Sequence, residues 1–350
     1  MDRAIYRIID ANFNRAREAV RVIEDFCRFG LNSELLSGRA KKLRHELSAA
    51  IAELDAGRLI AGRDTLGDVG VNRAVENQLR RTDLESCFTA ACKRLTESLR
   101  VLAETIETVN PAQGRTIENL RYTAYTLEKD VALFSSAAEK FKRVGLYVLI
   151  SSNLPADIIH LAHRCVAGGA DCIQLRAKDI DAAGLFAVAV EVVQICKAGG
   201  VLSIINDRPD IAVAAGADGV HLGQNDLPVE QVRKLELKPL IIGKSTHSLK
   251  QLEAARDELP TYVSLGPVFS TGTKPTAEPV GLGYVTKGVQ ILADTGIGHA
   301  AIGGITLENV EEVLDAGART IAVCSAVMDA RDPAEACRAL KASITRAGNG

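Results

Sequence analysis

The sequence predicts an α/β protein with an N-terminal all-α helical bundle and a C-terminal (β/α)8 TIM barrel. Helix-breaking residues divide the chain, because only one of ten prolines and seven of 29 glycines precede residue 141. Before that point apolar residues recur at helical spacing, and after it eight short apolar runs alternate with helical patterns. We therefore expect a helical domain at residues 1–134, a small polar linker at 135–144 and a barrel at 145–345.

The composition is that of an ordinary globular protein. The 350 residues are 47% hydrophobic and 25% charged, with a net charge of −2, which argues against a nucleic-acid or membrane partner that would require a basic face. The eight cysteines have neither zinc-ligand spacing nor a disulfide framework, and no apolar run approaches the length of a membrane span. We therefore expect a cytoplasmic protein with small-molecule ligands, and a homo-oligomer is compatible with this composition.

In the N-terminal part, apolar residues keep helical spacing from Asp10 to Phe29, and charged residues form a second stripe. The stripe returns 79 positions later, where Arg94, Glu97, Arg100 and Glu104 follow the pattern of Arg15, Glu18, Arg21 and Asp25. Each copy is followed by a similar tripeptide, Leu43-Arg44-His45 in the first and Leu120-Arg121-Tyr122 in the second. The repeat predicts a duplicated helical hairpin packed into a bundle.

Two interpretations of these charges are open. Solvated ion pairs between neighbouring helical turns are the ordinary explanation, and each stabilises a helix by about 0.2–0.5 kcal/mol. A site for a phosphorylated ligand is the alternative, because further polar residues accompany the repeat: Asp10, Asn12 and Asn14 at a predicted helix start, then Arg63-Asp64 and Asp68-Val69-Gly70. The chain has no Walker A loop and no G-x-G-x-x-G motif, so ATP would need Arg and Lys contacts with carboxylate-bound Mg²⁺.

At these residues the segment 4–134 resembles a helical domain that is found joined to thiamine-pathway synthases and regarded as an alternative hydroxymethylpyrimidine phosphate kinase. The matching motifs are Asp10-Ala11-Asn12-Phe13-Asn14-Arg15-Ala16, Glu18, Arg21, Arg44-His45, Asp68-Val69-Gly70 and Arg121-Tyr122. One departure is that Glu24-Asp25 of the first copy becomes Ala103-Glu104 in the second, so a ligand bound between the copies would meet the full set of carboxylates on one side only. The resemblance implies an ATP-dependent kinase, and a purely structural domain is the alternative.

The C-terminal part contains eight β-rich apolar runs separated by helical patterns. The predicted strands are Leu146–Ile150, Cys172–Arg176, Leu202–Asp207, Gly219–Leu222, Leu240–Gly243, Tyr262–Val268, Ala300–Gly304 and Thr320–Cys324. Eight such repeats are typical of a (β/α)8 barrel. A doubly wound open sheet is the alternative, but the Gly-rich first turn that usually marks it is absent after Ile150.

Carboxylates follow two neighbouring predicted strands. Asn206 and Asp207 close the third strand and Asp226 follows the fourth, so both carboxylates are expected at the C-terminal end of the barrel, where this fold carries its chemistry. Mg²⁺ takes one or two protein carboxylates and completes its octahedron with water and phosphate oxygens. Asp207 and Asp226 are therefore a candidate Mg²⁺ pair, and loop capping is the alternative.

Other strand ends carry residues suited to phosphate groups. Gln174, Arg176 and Lys178 alternate after the second strand, so their side chains share one face and could hold a diphosphate. The candidates after the fifth to eighth strands are Ser245, Thr271, Thr273, Lys274, Gly304, Cys324 and Ser325. Small residues after strands seven and eight allow backbone N–H groups to approach a phosphate. His221 and His247 are interpreted as a core-edge residue and a loop residue without catalytic roles.

At this point residues 145–345 resemble thiamine phosphate synthase. The shared motifs are Gln174-Leu175-Arg176-Ala177-Lys178, Asn206-Asp207-Arg208, His221-Leu222-Gly223-Gln224-Asn225-Asp226, Thr271-Gly272-Thr273-Lys274, Gly303-Gly304-Ile305 and Cys324-Ser325. The resemblance implies that hydroxymethylpyrimidine diphosphate is bound by Gln174, Arg176, Lys178, Asn206, Ser245 and Lys274, and thiazole phosphate by Thr271, Thr273, Gly304 and Ser325, with Cys324 as a further substrate-binding residue that contacts through its backbone. It further implies Mg²⁺ at Asp207 and Asp226. Two departures are Cys324, where an aliphatic residue is usual, and Lys244, which precedes Ser245.

The chemistry of these residues agrees with that assignment. Loss of diphosphate from a pyrimidine methylene requires neutralisation of charge on the leaving group, for which Mg²⁺ with Arg176, Lys178 and Lys274 is suited. Positioning of the two rings then completes the reaction, so we expect a transferase. The alternatives are a thiazole tautomerase-like barrel, which needs no diphosphate site, and a non-catalytic sensor of thiamine phosphates with a purely structural helical domain.

Overall fold

The structure of the chain, a computed structural model, describes residues 2–69, 80–236, 238–272 and 278–348. The chain divides into two compact units, Met1–Ala132 and Leu133–Gly350. The first unit is helical, and the second contains eight parallel strands in a closed barrel. The fold class expected from the sequence is therefore confirmed.

The helical unit begins with a long helix that contacts three others. The helices are α1 (Asp2–Asp25), α2 (Glu34–Ala52), α3 (Ala56–Gly62), α4 (Leu84–Glu107) and α5 (Pro111–Phe141), with a π-helical turn at Phe26–Gly30. α1 contacts α2, α3 and α4. It begins at Asp2, so the prediction of a helix start near Asp10, Asn12 and Asn14 is wrong, because the buried residues Tyr6 and Ile9 continue its apolar face toward the N-terminus.

The two copies of the helical repeat differ in how their second helix is held. In the first copy Arg44 of α2 donates from Nε to Glu24 of α1 at 2.8 Å, and Arg21 lies 3.4 Å from the same buried carboxylate. The second copy has Ala103 in place of Glu24, and there Arg121 pairs with Glu118 on its own helix. The repeated sequence therefore gives two different ion pairs, one between helices and one within a helix.

The residues between the two predicted domains are helical. α5 continues through residues 135–141 and ends at Phe141, and Ala137, Phe141 and Val144 are buried in the core of the barrel unit. The small residues of this segment indicate a linker in the sequence, but small residues also allow a helix to pack closely. The expected boundaries at 134 and 145 thus differ from the division between Ala132 and Leu133.

The barrel strands pair in sequence order, and β8 closes onto β1. The strands are β1 (Leu146–Ile150), β2 (Cys172–Leu175), β3 (Leu202–Asn206), β4 (Gly219–Leu222), β5 (Ile241–Thr246), β6 (Tyr262–Leu265), β7 (Gly298–Ile302) and β8 (Ile321–Val323). The helices are α6 (Pro155–Ala167), α7 (Ala182–Gly199), α8 (Pro209–Ala214), α9 (Val229–Arg233), α10 (Leu249–Asp257), α11 (Gly281–Leu292), α12 (Val310–Asp315), α13 (Ser325–Met328) and α14 (Pro333–Gly348). β5 extends beyond its predicted end because Ser245 and Thr246 pair with β6.

Aromatic rings fill the N-terminal end of the barrel interior. The ring of Phe141 stacks on that of Tyr262, with centroids 4.0 Å apart and an interplanar angle of 6°, and Tyr147 meets both rings edge-on. A Cβ atom at Gly298 would lie 2.9 Å from the Phe141 ring, and one at Gly243 would lie 2.2 Å from the Tyr262 ring. Glycine at these two positions therefore makes room for the stacked rings.

One helix among the described residues is long and apolar enough to span a membrane by length and composition. It is α7, whose 18 residues have a mean hydropathy of 1.5, so the expectation that no apolar run has such a length is wrong. Core helices pass the same test, and α7 contacts β2 and β3 of the barrel. Leu185, Val188 and Val192 are buried on that helix.

Replacing Phe141 by Ala should lower the free energy of unfolding by roughly 3–5 kcal/mol, because the change removes a buried ring and leaves a cavity against Tyr262. Urea unfolding of the full-length chain, followed by near-ultraviolet circular dichroism, would measure the loss. Phe186→Ala is the control, since Phe186 is 40% exposed on α7, and it should change stability by about 0.5 kcal/mol or less. Equal losses in the two variants would contradict the packing role of Phe141.

Candidate active site

Polar side chains converge on a cavity at the C-terminal end of the barrel. The strands are parallel, so the residues that follow them meet at one end. Ten predicted site residues line this cavity: Gln174, Arg176, Lys178, Asn206, Asp207, Ser245, Thr271, Gly304, Cys324 and Ser325. Asp226 lies within hydrogen-bonding reach of Asp207. Thr273 and Lys274 fall outside the described residues.

Asp207 and Asp226 form a close carboxylate pair beside the cavity. Asp207 has a left-handed backbone with a φ of 62°, and its N–H donates to the carbonyl oxygen of His221 at 2.8 Å. Asp226 accepts the N–H of Gly223 at 2.6 Å. Burial raises the pKa of Asp207, and the hydrogen bond to Asp226 and the charge of Asp226 raise it further, whereas Lys178 at 3.5 Å opposes this shift.

This carboxylate pair fits a hard divalent cation. Two like charges at short range repel one another, and a cation between them would remove that repulsion. In the described part of the chain, no cluster of three or more His, Cys, Asp or Glu side chains is arranged for metal binding. A metal ion at Asp207 and Asp226 would therefore complete its coordination with water and ligand oxygens, as is typical of Mg²⁺ sites in proteins.

Arg176 and Lys178 place positive charge in the same cavity. The N–H of Arg176 bonds to the carbonyl oxygen of Ile150 at 2.9 Å and extends the pairing of β1 with β2. Its guanidinium Nη1 donates to the hydroxyl of Ser151, also at 2.9 Å. An anionic ligand in the cavity would therefore meet a guanidinium and an ammonium group beside the carboxylate pair.

Two histidines that sequence reasoning left without a role also line the cavity. The ring nitrogens of His221 lie 2.9 Å from the hydroxyls of Tyr262 and Ser245. His247 faces the carbonyl oxygen of Gly266 through Nδ1, so Nδ1 carries a hydrogen. The sequence could have indicated this position of His221 through strand alternation. Its neighbours Val220 and Leu222 point to the opposite face of β4, so His221 points to the barrel interior.

The loop after β7 requires glycine at two successive positions. Gly303 and Gly304 have φ values of 108° and 64°, a region that other residues rarely adopt. A Cβ atom at Gly303 would lie 2.4 Å from Pro267, and one at Gly304 would lie 2.5 Å from the carbonyl oxygen of Ser270. The absence of side chains at Gly303 and Gly304 therefore lets the loop after β7 pack closely against the backbone that follows β6, beside the cavity.

Family models match both parts of the chain. The model described as thiamine monophosphate synthase matches residues 146–327, which include all eight strands. The model described as the ThiD2 family matches residues 7–130, within the helical unit.

Relatives and a solved structure agree with the family models. Proteins named thiamine-phosphate synthase are 36% identical in Nostoc sp., covering 99% of this chain and 96% of that protein, and 38% identical in Rhodopirellula baltica, covering 93% and 88%. The structure of a thiamine phosphate pyrophosphorylase from Pyrococcus furiosus has 32% identity and a TM-score of 0.54, covering 60% of this chain and 98% of that one. The chain therefore belongs to the thiamine-phosphate synthase family, with an N-terminal domain of the ThiD2 family.

Proposed function

We propose that this thiamine-phosphate synthase joins hydroxymethylpyrimidine diphosphate to thiazole phosphate, forming thiamine phosphate and releasing diphosphate. The observation that carries the proposal is the convergence of Arg176, Lys178 and the Asp207–Asp226 pair on one cavity. Two basic side chains beside two carboxylates suit a diphosphate that carries a metal ion. A substrate with a single phosphate would not need this density of opposite charges.

The pyrimidine diphosphate is proposed to bind at the ends of β2, β3 and β5. Arg176 and Lys178 would contact the diphosphate, the guanidinium through paired hydrogen bonds and the ammonium as a compact charge. Gln174, Asn206 and Ser245 supply the neutral polar groups of the predicted set and line the same cavity. Lys274, which lies outside the described residues, completes this predicted set.

The proposed reaction begins when the bond between the pyrimidine methylene carbon and the diphosphate oxygen breaks, and the bonding electron pair leaves with diphosphate. The pyrimidine ring stabilises the resulting cation. Arg176 and Lys178 stabilise the negative charge that grows on the leaving group. The lone pair of the thiazole nitrogen then forms the new C–N bond, so this mechanism requires positioning of the two rings rather than a nucleophilic side chain or a general base.

Mg²⁺ is the proposed metal ion of this family member, because Asp207 and Asp226 offer hard oxygen ligands and a diphosphate offers more. When bound, the ion would neutralise part of the charge on the departing diphosphate. The two carboxylates would be its protein ligands, and without a cation they repel one another. This repulsion is consistent with the raised pKa of Asp207, to which burial contributes most.

The thiazole phosphate is proposed to bind near β6, β7 and β8, at the position where many barrels bind phosphate. The predicted ligand residues are Thr271, Thr273, Gly304, Cys324 and Ser325. The thiol of Cys324 donates to the sulfur of Met328 at 3.6 Å, so the expected contact of Cys324 with a phosphate is through its backbone. Thr273 lies outside the described residues.

The other barrel functions considered from the sequence have less support. A thiazole tautomerase-like reaction needs no diphosphate site, so it would leave Arg176, Lys178 and the carboxylate pair without a purpose. A non-catalytic sensor disagrees with the full-length relatives, which are named as synthases. We also propose a cytoplasmic location, since buried cysteines such as Cys172 and Cys196 are thiols rather than members of a disulfide, which suits a reducing compartment.

For the helical unit we propose a kinase that transfers a phosphoryl group from ATP to the phosphate of hydroxymethylpyrimidine phosphate. The products would be ADP and the diphosphate that the barrel consumes. Arg63 holds both oxygens of Asp10 at 2.7 Å, and Asn14 donates to the same residue. These contacts join α1 to the segment that follows α3, so they bring two of the predicted polar motifs together.

Replacing Asp207 by Asn should lower the turnover of thiamine phosphate formation by on the order of 10²–10³-fold, because one carboxylate of the proposed metal pair becomes neutral. Asn tolerates a left-handed backbone, so the φ of 62° at this position is retained. The measurement is steady-state formation of thiamine phosphate at several Mg²⁺ concentrations, and half-maximal activity should require more Mg²⁺. Asp207→Ala should abolish the reaction.

Asp210→Asn is the matched control for this prediction. Asp210 is an exposed carboxylate three residues away that pairs with Arg208 at 2.6 Å. Its replacement should leave turnover and the Mg²⁺ requirement unchanged. Near-normal turnover of the Asp207→Asn variant at low Mg²⁺ would contradict the proposed metal site.

The kinase proposal is tested in the full-length Asp207→Asn chain, in which the diphosphate should accumulate because the barrel reaction is slowed and no thiazole phosphate is added. Incubation with ATP, Mg²⁺ and hydroxymethylpyrimidine phosphate should produce equal amounts of ADP and hydroxymethylpyrimidine diphosphate. Adding Asp10→Asn should abolish this product. Adding Asp130→Asn, which breaks the 2.7 Å pair between Arg39 and Asp130, should not. Absence of the diphosphate from the folded chain would favour a structural role for the helical unit.

A further inference from the structure

A chain of hydrogen bonds crosses the barrel interior and ends at the cavity. Gln174 Nε2 donates to the hydroxyl of Tyr147 at 2.6 Å, and that hydroxyl lies 2.8 Å from the hydroxyl of Tyr262. Tyr262 is 2.9 Å from Nδ1 of His221, whose Nε2 is 2.9 Å from the hydroxyl of Ser245. All five residues are buried, with at most 9% of their surface exposed. We define these five residues as the relay.

One direction of hydrogen donation uses every group in the relay. The amide nitrogen of Gln174 can only donate a hydrogen bond, so the hydroxyl of Tyr147 accepts from it and donates its own hydrogen bond to Tyr262. Tyr262 then donates to Nδ1 of His221, and Nε2–H of His221 donates to Ser245. Burial raises the pKa of both tyrosines well above the usual value, so each keeps its single hydrogen.

The opposite direction leaves a group unsatisfied. If His221 donated from Nδ1 to Tyr262 and Tyr262 donated to Tyr147, the hydrogen of Tyr147 would have no acceptor, because its two bonds are to Gln174 and Tyr262. A buried donor without a partner is unfavourable, because it has lost its hydrogen bonds to water without replacement. The amide of Gln174 places Nε2 toward the Tyr147 hydroxyl at 2.6 Å, so the first donation, and with it the direction of the whole relay, is set at Gln174.

We propose that Tyr262 is a positioning residue for the synthase reaction, because its hydroxyl holds His221 as the Nε2–H tautomer and thereby leaves the Ser245 hydroxyl hydrogen free to donate to a phosphate oxygen. Ionised phosphate oxygens mainly accept hydrogen bonds, so Ser245 is useful to a diphosphate only as a donor. Tyr262 does not line the cavity and acts through His221 and Ser245. This inference rests on the proposed binding of a diphosphate in the cavity.

The packing around Tyr262 explains why its hydroxyl can hold His221 in one state. The ring is stacked on Phe141 with centroids 4.0 Å apart. On another side it fills the space left by Gly243, where a Cβ atom would lie within 2.4 Å of the hydroxyl oxygen. The ring therefore has little freedom to move, and its hydroxyl stays aligned with Nδ1 of His221.

The first test is the tautomer of His221 in the full-length protein. Nitrogen-15 NMR distinguishes a ring nitrogen that carries a hydrogen from one that does not, and His221→Gln assigns the signals. We expect the Nε2–H form in the wild-type chain, both without ligand and with inorganic diphosphate. Finding the Nδ1–H form would overturn the proposal, and this measurement does not depend on turnover.

The second test is Tyr262→Phe, which removes the hydroxyl and keeps the stacked ring. We expect the Nδ1–H tautomer of His221 to predominate in this variant and kcat/KM for hydroxymethylpyrimidine diphosphate to fall by roughly 10–100-fold, because only the remaining Nε2–H fraction leaves the Ser245 hydrogen available to the phosphate. Tyr284→Phe is the control, because Tyr284 also has a buried hydroxyl, bonded to Thr246 at 2.8 Å, but lies outside the relay. It should change neither the tautomer nor kcat/KM.

A double-mutant cycle separates positioning from a general loss of stability. If Tyr262 acts through Ser245, the double variant Tyr262→Phe with Ser245→Ala should be no slower than Ser245→Ala alone. Additive losses would overturn the proposal, as would a Tyr262→Phe variant with a single Nε2–H tautomer and kcat/KM within twofold of wild type. If the wild-type chain formed no thiamine phosphate, the proposed function would fail, while the tautomer measurement would still decide the direction of the relay.

Discussion

The stacking of Phe141 on Tyr262 is the interaction on which the barrel interior depends. It fills the N-terminal end of the barrel with two rings 4.0 Å apart, and Gly243 and Gly298 provide the space. Because this end is filled with side chains, the open volume is at the C-terminal end, where the loops meet. The hydroxyl of Tyr262 is within hydrogen-bonding distance of Tyr147 and His221, which both line the cavity, so Tyr262 connects the core to the cavity.

Two features of Asp207, beside the cavity, are energetically unfavourable in the absence of a ligand. Asp207 combines a left-handed backbone with a carboxylate whose pKa is raised by burial and by Asp226. Such local strain persists only where the surrounding structure holds it, and here the hydrogen bond from the Asp207 N–H to the carbonyl oxygen of His221 does so. A cation together with a diphosphate would turn this excess of like charge into favourable contacts. The carboxylate pair is thus explained by ligand binding rather than by the stability of the barrel.

The helical unit shows how a repeated sequence can give unequal structures. The repeat places Arg44 and Arg121 at matching positions, but the change from Glu24 to Ala103 removes the carboxylate that Arg44 uses. Arg121 therefore pairs along its own helix. The motif Asp68-Val69-Gly70 ends at the limit of the described residues, because Gly70 lies outside them. Asp10 and Arg63 remain the best-defined polar contact between the predicted motifs.

Local patterns were sufficient to predict the number and order of the strands and ten of the residues that line the cavity. Alternation along Gln174, Arg176 and Lys178 is a property of one extended segment, and parallel strands bring their ends together in any closed barrel. The end of α5 was not predictable in the same way, because small residues such as Ala137 suit either a linker or a packed helix. Its burial depends on contacts with strands that follow it in the chain.

By itself, therefore, the sequence determined the two-part architecture, the barrel and the identity of the charged residues at the strand ends, since each depends on residues close together in the chain. Only the tertiary structure decided that His221 lies between Tyr262 and Ser245 and that Phe141 stacks on Tyr262. These contacts join residues from different strands and from α5. Their distances depend on the closure of the barrel and on the space left by glycines, which no local pattern records.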